Sequence, residues 1–160
     1  MKNVYGVEHC EQIDQSQSNL NDLYNRVDSL VNVIDRDERL VIVNSIDESN
    51  SLLQLFSEEG VFEENYQLYQ LSGDSTNTCN TDYGFTSTTG HLYVYKELSL
   101  PFQFNEPVGE NQQQHMAFLQ MKEHLIAEEQ GSSTIYYVDR QQQELIEGIA
   151  RAYKIGVTFL

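Results

Sequence analysis

His91 to Phe104 reads HLYVYKELSLPFQF, and the fold turns on how it is read. Leu92, Val94, Leu98, Leu100, Phe102 and Phe104 take the even positions with Lys96, while Tyr93, Tyr95, Glu97, Ser99, Pro101 and Gln103 alternate with them. A period of two is that of a strand with one buried face. Fully extended, the stretch would span roughly 40 Å at about 3.3 Å per residue. Pro101 has no N–H to give to a ladder, so an edge position or a break near residues 99–101 is expected. The even apolar residues are expected to face the core, with Tyr93 and Tyr95 pointing elsewhere.

Downstream, residues 110–130 read as the longest helix, with Phe118, Met121 and Leu125 flanked by Met116, Leu119 and Ile126 as its buried face and Gly131 as its stop. Ser133–Val138 reads as a strand, Asp139 as the cap of a helix carrying Leu145, Ile149 and Ala152, and Ile155–Leu160 as a terminal strand. The C-terminal half is thus β-α-β-α-β, an order that favours partly parallel pairing through right-handed crossovers.

Upstream, residues 1–18 offer only Val4, Tyr5, Val7 and Ile13 to pack, which suits a short strand and loop or a loosely docked arm. Leu20, Leu23, Val27, Leu30 and Ile34 form one helical stripe, capped by Asn19. Asp35–Arg39 reads as a solvated connection, and Leu40–Val43, LVIV, as a central strand buried on both faces. A helix through Leu52, Leu53 and Phe56 follows a cap at Asp47 or Ser49 and stops at Gly60. Val61–Leu71 reads as a strand. Residues 72–90, dense in Gly, Ser, Thr, Asn and Asp, read as a long loop. The fold expected is α/β (or α+β), one domain over residues 1–160, with a single mixed sheet of about five to six strands and helices packed on it.

The chain's 160 residues suffice for a core without disulfides. Cys10 and Cys79, with no export signal at the start, suggest free thiols and a cytoplasmic protein. No apolar run reaches the ~18 residues of a membrane span. With 25 acidic against 9 basic residues, the formal charge is −16. Such a surface repels phosphate backbones, which excludes direct nucleic-acid binding as an expectation and favours a basic protein surface as partner.

No catalytic or metal signature emerges, and no cofactor is expected. His9 and Cys10 are adjacent and face different ways in a strand. His115 and His124 do not share a helix face. Gly84–Gly90, GFTSTTG, resembles the serine-threonine-serine stretch of ADP-ribosyltransferases, which would make Arg39 the nicotinamide-pocket arginine. The Glu-x-Glu of such enzymes is not matched, since Glu128 and Glu129 are followed by Gln-Gly-Ser-Ser-Thr before Ile135. The strand-helix-strand-helix-strand order of the C-terminal half also resembles the centre of acyl-CoA N-acyltransferases. That resemblance implies a pyrophosphate held by backbone amides at the turn Gly109–Gln114, where this chain has one glycine, an acid and no basic residue.

The function expected is therefore a non-catalytic, acidic protein-binding protein. It would act as an inhibitor or adaptor covering a basic, nucleic-acid-binding type of surface, with a phage or mobile-element origin fitting this role. The alternative is an acyltransferase-like protein with a degenerate cofactor turn. The acids expected to form the binding face are Asp35, Asp37, Glu38, Asp47, Glu48, Glu58, Glu59, Glu63 and Glu64, all within one short span.

Overall fold

The computed structural model describes residues 1–10, 17–72, 82–106 and 112–160. Residues 73–81 of the 72–90 loop and 109–111 of the 109–114 turn therefore lie outside the described residues. The fold is α+β. The chain divides into two compact units, Lys2–Gln70 with Thr86–His91, and Met1 with Leu71–Phe85 and Leu92–Leu160.

The N-terminal unit runs β1 (Lys2–His9), α1 (Gln17–Leu30), β2 (Val33–Asp37), β3 (Leu40–Val43), α2 (Ile46–Glu58) and β4 (Phe62–Gln70). Its strands lie in the order β2-β3-β1-β4, and each of these ladders is antiparallel. LVIV is the expected inner strand, buried at all four positions. Val7, Val41 and Val43 meet Leu23 and Val27 of α1 and Leu52, Leu55 and Phe56 of α2 in one core. Helix α2 begins with a reciprocal capping box between Ser45 and Glu48. It ends at Gly60, whose φ of 69° lets the Val61 N–H reach back 2.8 Å to the Phe56 carbonyl. A Cβ on Gly6 in β1 would come within 2.9 Å of Leu40 Cδ1, so that side chain would have to shift to admit one.

Two short strands follow, β5 (Gly84–Thr86) and β6 (Leu92–Tyr95), paired with each other. The C-terminal unit then runs β7 (Ser99–Phe104), α3 (Gln112–Lys122), β8 (Leu125–Glu129), β9 (Ile135–Asp139), α4 (Gln143–Tyr153) and β10 (Val157–Phe159). These strands lie in the order β10-β7-β9-β8, again with antiparallel ladders.

Both units are thus β-α-β-β-α-β, with the first strand between the third and the fourth, the split βαβ arrangement of ferredoxin-like domains. The likeness extends to single rungs. Tyr5 pairs Val43 and Val7 pairs Val41, as Leu100 pairs Val138 and Phe102 pairs Tyr136. The β2–β3 register slips between Val33 and Asp35, and the β8–β9 register slips between Leu125 and Ala127. The second helix of each unit ends alike: Lys154 adopts φ 56° and Ile155 N–H reaches the Ala150 carbonyl at 3.0 Å, as Gly60, Val61 and Phe56 do.

Several expectations are corrected. The 91–104 stretch is two strands separated by a turn at Lys96–Leu98, where the Leu98 N–H bonds the Tyr95 carbonyl. Leu98 is 45% exposed, while Tyr93 is fully buried, because β6 is covered on both faces and alternation does not mark its inside. Pro101 lies in the interior of β7, flanked by β9 and β10, and the chain breaks before it at the charged pair Lys96 and Glu97. The expected 110–130 helix is α3 followed by β8, and the expected 19–34 helix ends at Leu30, with Ile34 in β2. Asn19 therefore lies within α1 and not ahead of it, and Asp35–Arg39 is mostly strand, with only Glu38 and Arg39 turning the hairpin. The strands form two sheets, not one. The parallel pairing expected of the C-terminal half is absent from its ladders, because each helix carries the chain past an intervening antiparallel strand. The added strand β8 also replaces the element order on which the acyltransferase resemblance rested.

Candidate interaction surface

At one end of the N-terminal unit's sheet β1 and β2 finish while β3 and β4 begin, because Leu40 pairs both Glu8 and Asp37, and Glu8 pairs Glu64. The end of α2 arrives at the same place, since Cys10 N–H bonds the carbonyl of Val61. Four separate segments therefore bring Glu8, Asp37, Glu38, Glu58, Glu59, Glu63 and Glu64 to this end. Glu38 turns the β2–β3 hairpin with φ 48°.

Like charges directly opposed on neighbouring strands are unfavourable, and the Glu8–Glu64 rung is held by two neighbours. Arg39 places Nη2 3.1 Å from Glu8 Oε1 and Nη1 2.9 Å from Glu63 Oε2. The Tyr66 hydroxyl lies 2.9 Å from Glu8 Oε2 and 3.0 Å from Glu64 Oε2. Burial and the two carboxylates raise the pKa of the Tyr66 phenol, so it stays a donor. On α2, Glu59 accepts from Arg26 at 2.6 Å and Glu58 from Gln54 at 2.8 Å. Arg26 and Arg39 are the two guanidinium groups that reach these acids, so the end of the sheet keeps a strong excess of negative charge.

Behind this surface, His9 is buried at 3% exposure. Its Nδ1 lies 3.1 Å from the Cys10 carbonyl and its Nε2 2.9 Å from the Tyr24 hydroxyl. Burial lowers the pKa of His9, against the raising effect of its bond to the Cys10 carbonyl. The neutral ring fits both contacts, with Nδ1–H donating to the carbonyl and Nε2 accepting from the phenol.

The other acids expected at the face lie elsewhere. Asp47 and Glu48 occupy the first turn of α2, roughly 15 Å along the helix from Glu58 at about 1.5 Å per residue. Glu48 belongs to the capping box; burial would raise its pKa, but bonds from Ser45, Asn32 and Asn44 lower it on balance. The Asp35 carboxylate is turned inward, with its side chain 1% exposed. Ser87 Oγ donates to Asp35 Oδ2 at 2.7 Å and Thr89 Oγ1 to Oδ1 at 2.8 Å, while His91 Nδ1 lies 3.1 Å from Oδ2. Asp37 Oδ1 accepts from the Thr88 N–H at 3.1 Å. Serine, histidine and aspartate meet here, yet Ser87 binds the same carboxylate oxygen as His91 and not the far nitrogen of the imidazole. The arrangement clamps Ser87–His91 onto β2 and does not activate a nucleophile. It also engages Ser87, Thr88 and Thr89 of GFTSTTG, while Arg39 is engaged by Glu8 and Glu63.

Neither Glu8 nor Tyr66 is among the residues that the sequence assigns to the acidic face. The signal for Glu8 is the short apolar set Val4, Tyr5 and Val7, which suits a strand but leaves a loosely docked arm open as well. Among the described residues no three His, Cys, Asp or Glu side chains group closely enough to hold a metal ion, and no helix is long and apolar enough to cross a membrane. No protein-family model, curated protein or solved structure matches this chain.

Proposed function

We propose that this chain is a non-catalytic protein-binding protein whose acidic sheet end docks on a basic protein surface, as an inhibitor or adaptor of a partner that otherwise binds nucleic acid. The supporting observation is the convergence of Glu8, Asp37, Glu38, Glu58, Glu59, Glu63 and Glu64 from four segments onto one end, with Arg26 and Arg39 as the cations that reach them. Carboxylates fixed on strand and helix ends present a pre-set negative field, which favours fast, salt-sensitive association with a basic partner. Glu63 and Arg39 hold each other in position, so little side-chain ordering is left to oppose binding.

The test is capture from a lysate at low and high salt, with mass spectrometry of what elutes, by the native chain and by a variant in which Glu58, Glu59, Glu63 and Glu64 are all changed to Lys. The native chain should capture basic nucleic-acid-binding proteins that added duplex DNA displaces, and the variant should capture none of them. Capture that ignores salt, DNA and the fourfold reversal alike would move the interface to another surface.

A further inference from the structure

The two units fill one equivalent position in opposite ways. In the N-terminal unit Arg36 stands on the rung Arg36, Val41, Val7, on the helix-facing side of β2. Its guanidinium carbon lies 4.8 Å from the centroid of the Tyr24 ring on α1, and Asp28 pairs with its Nη2. In the C-terminal unit the same rung is Glu128, Tyr136, Phe102. Phe118 takes the place of Tyr24, one residue after the core position that Leu23 fills in α1 and Ala117 fills in α3. The edge strand here carries a carboxylate where its counterpart carries a guanidinium.

Beside Glu128 is a cavity of about 620 Å³, floored by Phe104, Phe118 and Tyr136 and rimmed by Glu106, Glu128 and the turn that joins β8 to β9. The three rings touch one another, at centroid distances of 6.2 Å for Phe104 and Phe118, 5.5 Å for Phe104 and Tyr136, and 5.4 Å for Phe118 and Tyr136. The volume suits a small ligand or one side chain. Ring faces attract a cation, and a carboxylate at their edge adds to that attraction. Tyr136 keeps its proton, because burial and the charge of Glu128 both raise its pKa.

We propose that this cavity is a binding site for a guanidinium group, seated over the Phe118 ring and held by Glu128, in the place that Arg36 fills from within the chain in the other unit. A guanidinium is planar and weakly hydrated, stacks on aromatic faces and pairs with a carboxylate through two parallel N–H bonds, whereas an ammonium is a compact and strongly hydrated point charge. The inference is independent of the acidic sheet end, since the site is built from residues of the C-terminal unit and its comparison with Arg36 uses none of the acids of that end.

The experiment is an NMR titration of the full chain, with labelled aromatic rings, using ethylguanidinium against ethylammonium and the capped peptide Gly-Arg-Gly against Gly-Lys-Gly. Saturable shifts at Phe104, Phe118 and Tyr136 are expected with both guanidinium probes, and clearly weaker binding of their ammonium counterparts. Glu128→Gln should weaken binding by about tenfold, as expected for one lost charge-assisted pair. Glu128→Arg should abolish binding by supplying the guanidinium from within. Phe118→Leu, which keeps the core apolar, provides a second route to the same loss. Tighter binding of the arginine peptide than of ethylguanidinium would assign the site to a protein ligand, and the reverse to a free small molecule. Shifts that do not saturate, ammonium probes that bind equally, or a Glu128→Gln variant that binds as the native chain does would each overturn the proposal.

Discussion

At the scale of single residues, Lys154 and Gly60 make the sharpest comparison, because both close a helix in the left-handed region at equivalent positions. An L side chain there meets its own backbone, at a cost of roughly 1–2 kcal/mol that glycine avoids. Lys154→Gly should therefore raise stability by about 1 kcal/mol, and Gly60→Ala should lower it by a similar amount, both read from urea midpoints. His9 makes a second comparison, since Phe104 occupies its position in the other unit. Burial holds the folded-state pKa of His9 below the ordinary imidazole value of 6.5, so the unfolded chain takes up the proton first as pH falls. Stability contributed by the neutral ring is fully present above about pH 6.5 and is lost as the pH drops below it. His9→Phe should flatten the fall in urea midpoint between pH 6.5 and 5, while forfeiting the bond to Tyr24 at every pH. An unchanged slope would place the acid sensitivity in other groups.

At the scale of elements, the interruption at Lys96–Leu98 decides what each side chain is worth. Leu98 sits in the turn and is 45% exposed, so Leu98→Ala should cost less than about 0.5 kcal/mol. Phe102 is fully buried among Phe104, Tyr136 and Phe159, and Phe102→Ala should cost roughly 3–5 kcal/mol. Alternation finds the strands on both sides of the turn but does not show the turn itself, since Lys96 is a single interruption in an even-numbered apolar row that resumes in phase at Leu98. The same limit explains β8. Leu125, Ile126 and Ala127 continue the apolar content of α3, and only the polar run Lys122, Glu123, His124 marks the boundary. Where a local signal was strong, as in LVIV or at Gly60, the element stands where the sequence placed it. The acidic end was partly legible for the same reason. Glu58, Glu59, Glu63 and Glu64 flank a helix stop and a strand start that were both recognised, whereas Asp35 was assigned to a connection and is in fact buried in a strand.

At the scale of the whole molecule, the internal repeat was invisible in the sequence because the two cores conserve volume and not identity. The buried positions of Val7, Val41, Leu23 and Phe56 in one unit are taken by Phe102, Tyr136, Ala117 and Ala150 in the other. A large residue on the strand is matched by small ones on the helices, and the reverse, so packing is kept while residue-by-residue likeness is lost. Charge is the other property that belongs to the whole chain, and it leads to two effects of opposite sign. A formal charge of −16 repels itself in the compact state. Salt shortens the screening length to about 8 Å at 0.15 M, which weakens repulsion among the exposed acids of the sheet end more than the close Arg39 pairs that oppose it. Raising NaCl from 10 to 200 mM should therefore increase the melting temperature of the free chain while weakening its hold on a basic partner. In the variant with Glu58, Glu59, Glu63 and Glu64 changed to Lys, the increase in melting temperature should shrink along with the binding. A native melting temperature that falls with salt would mean that the ion pairs of Arg26 and Arg39 outweigh the repulsion around them, leaving the acidic end too well neutralised to steer a partner.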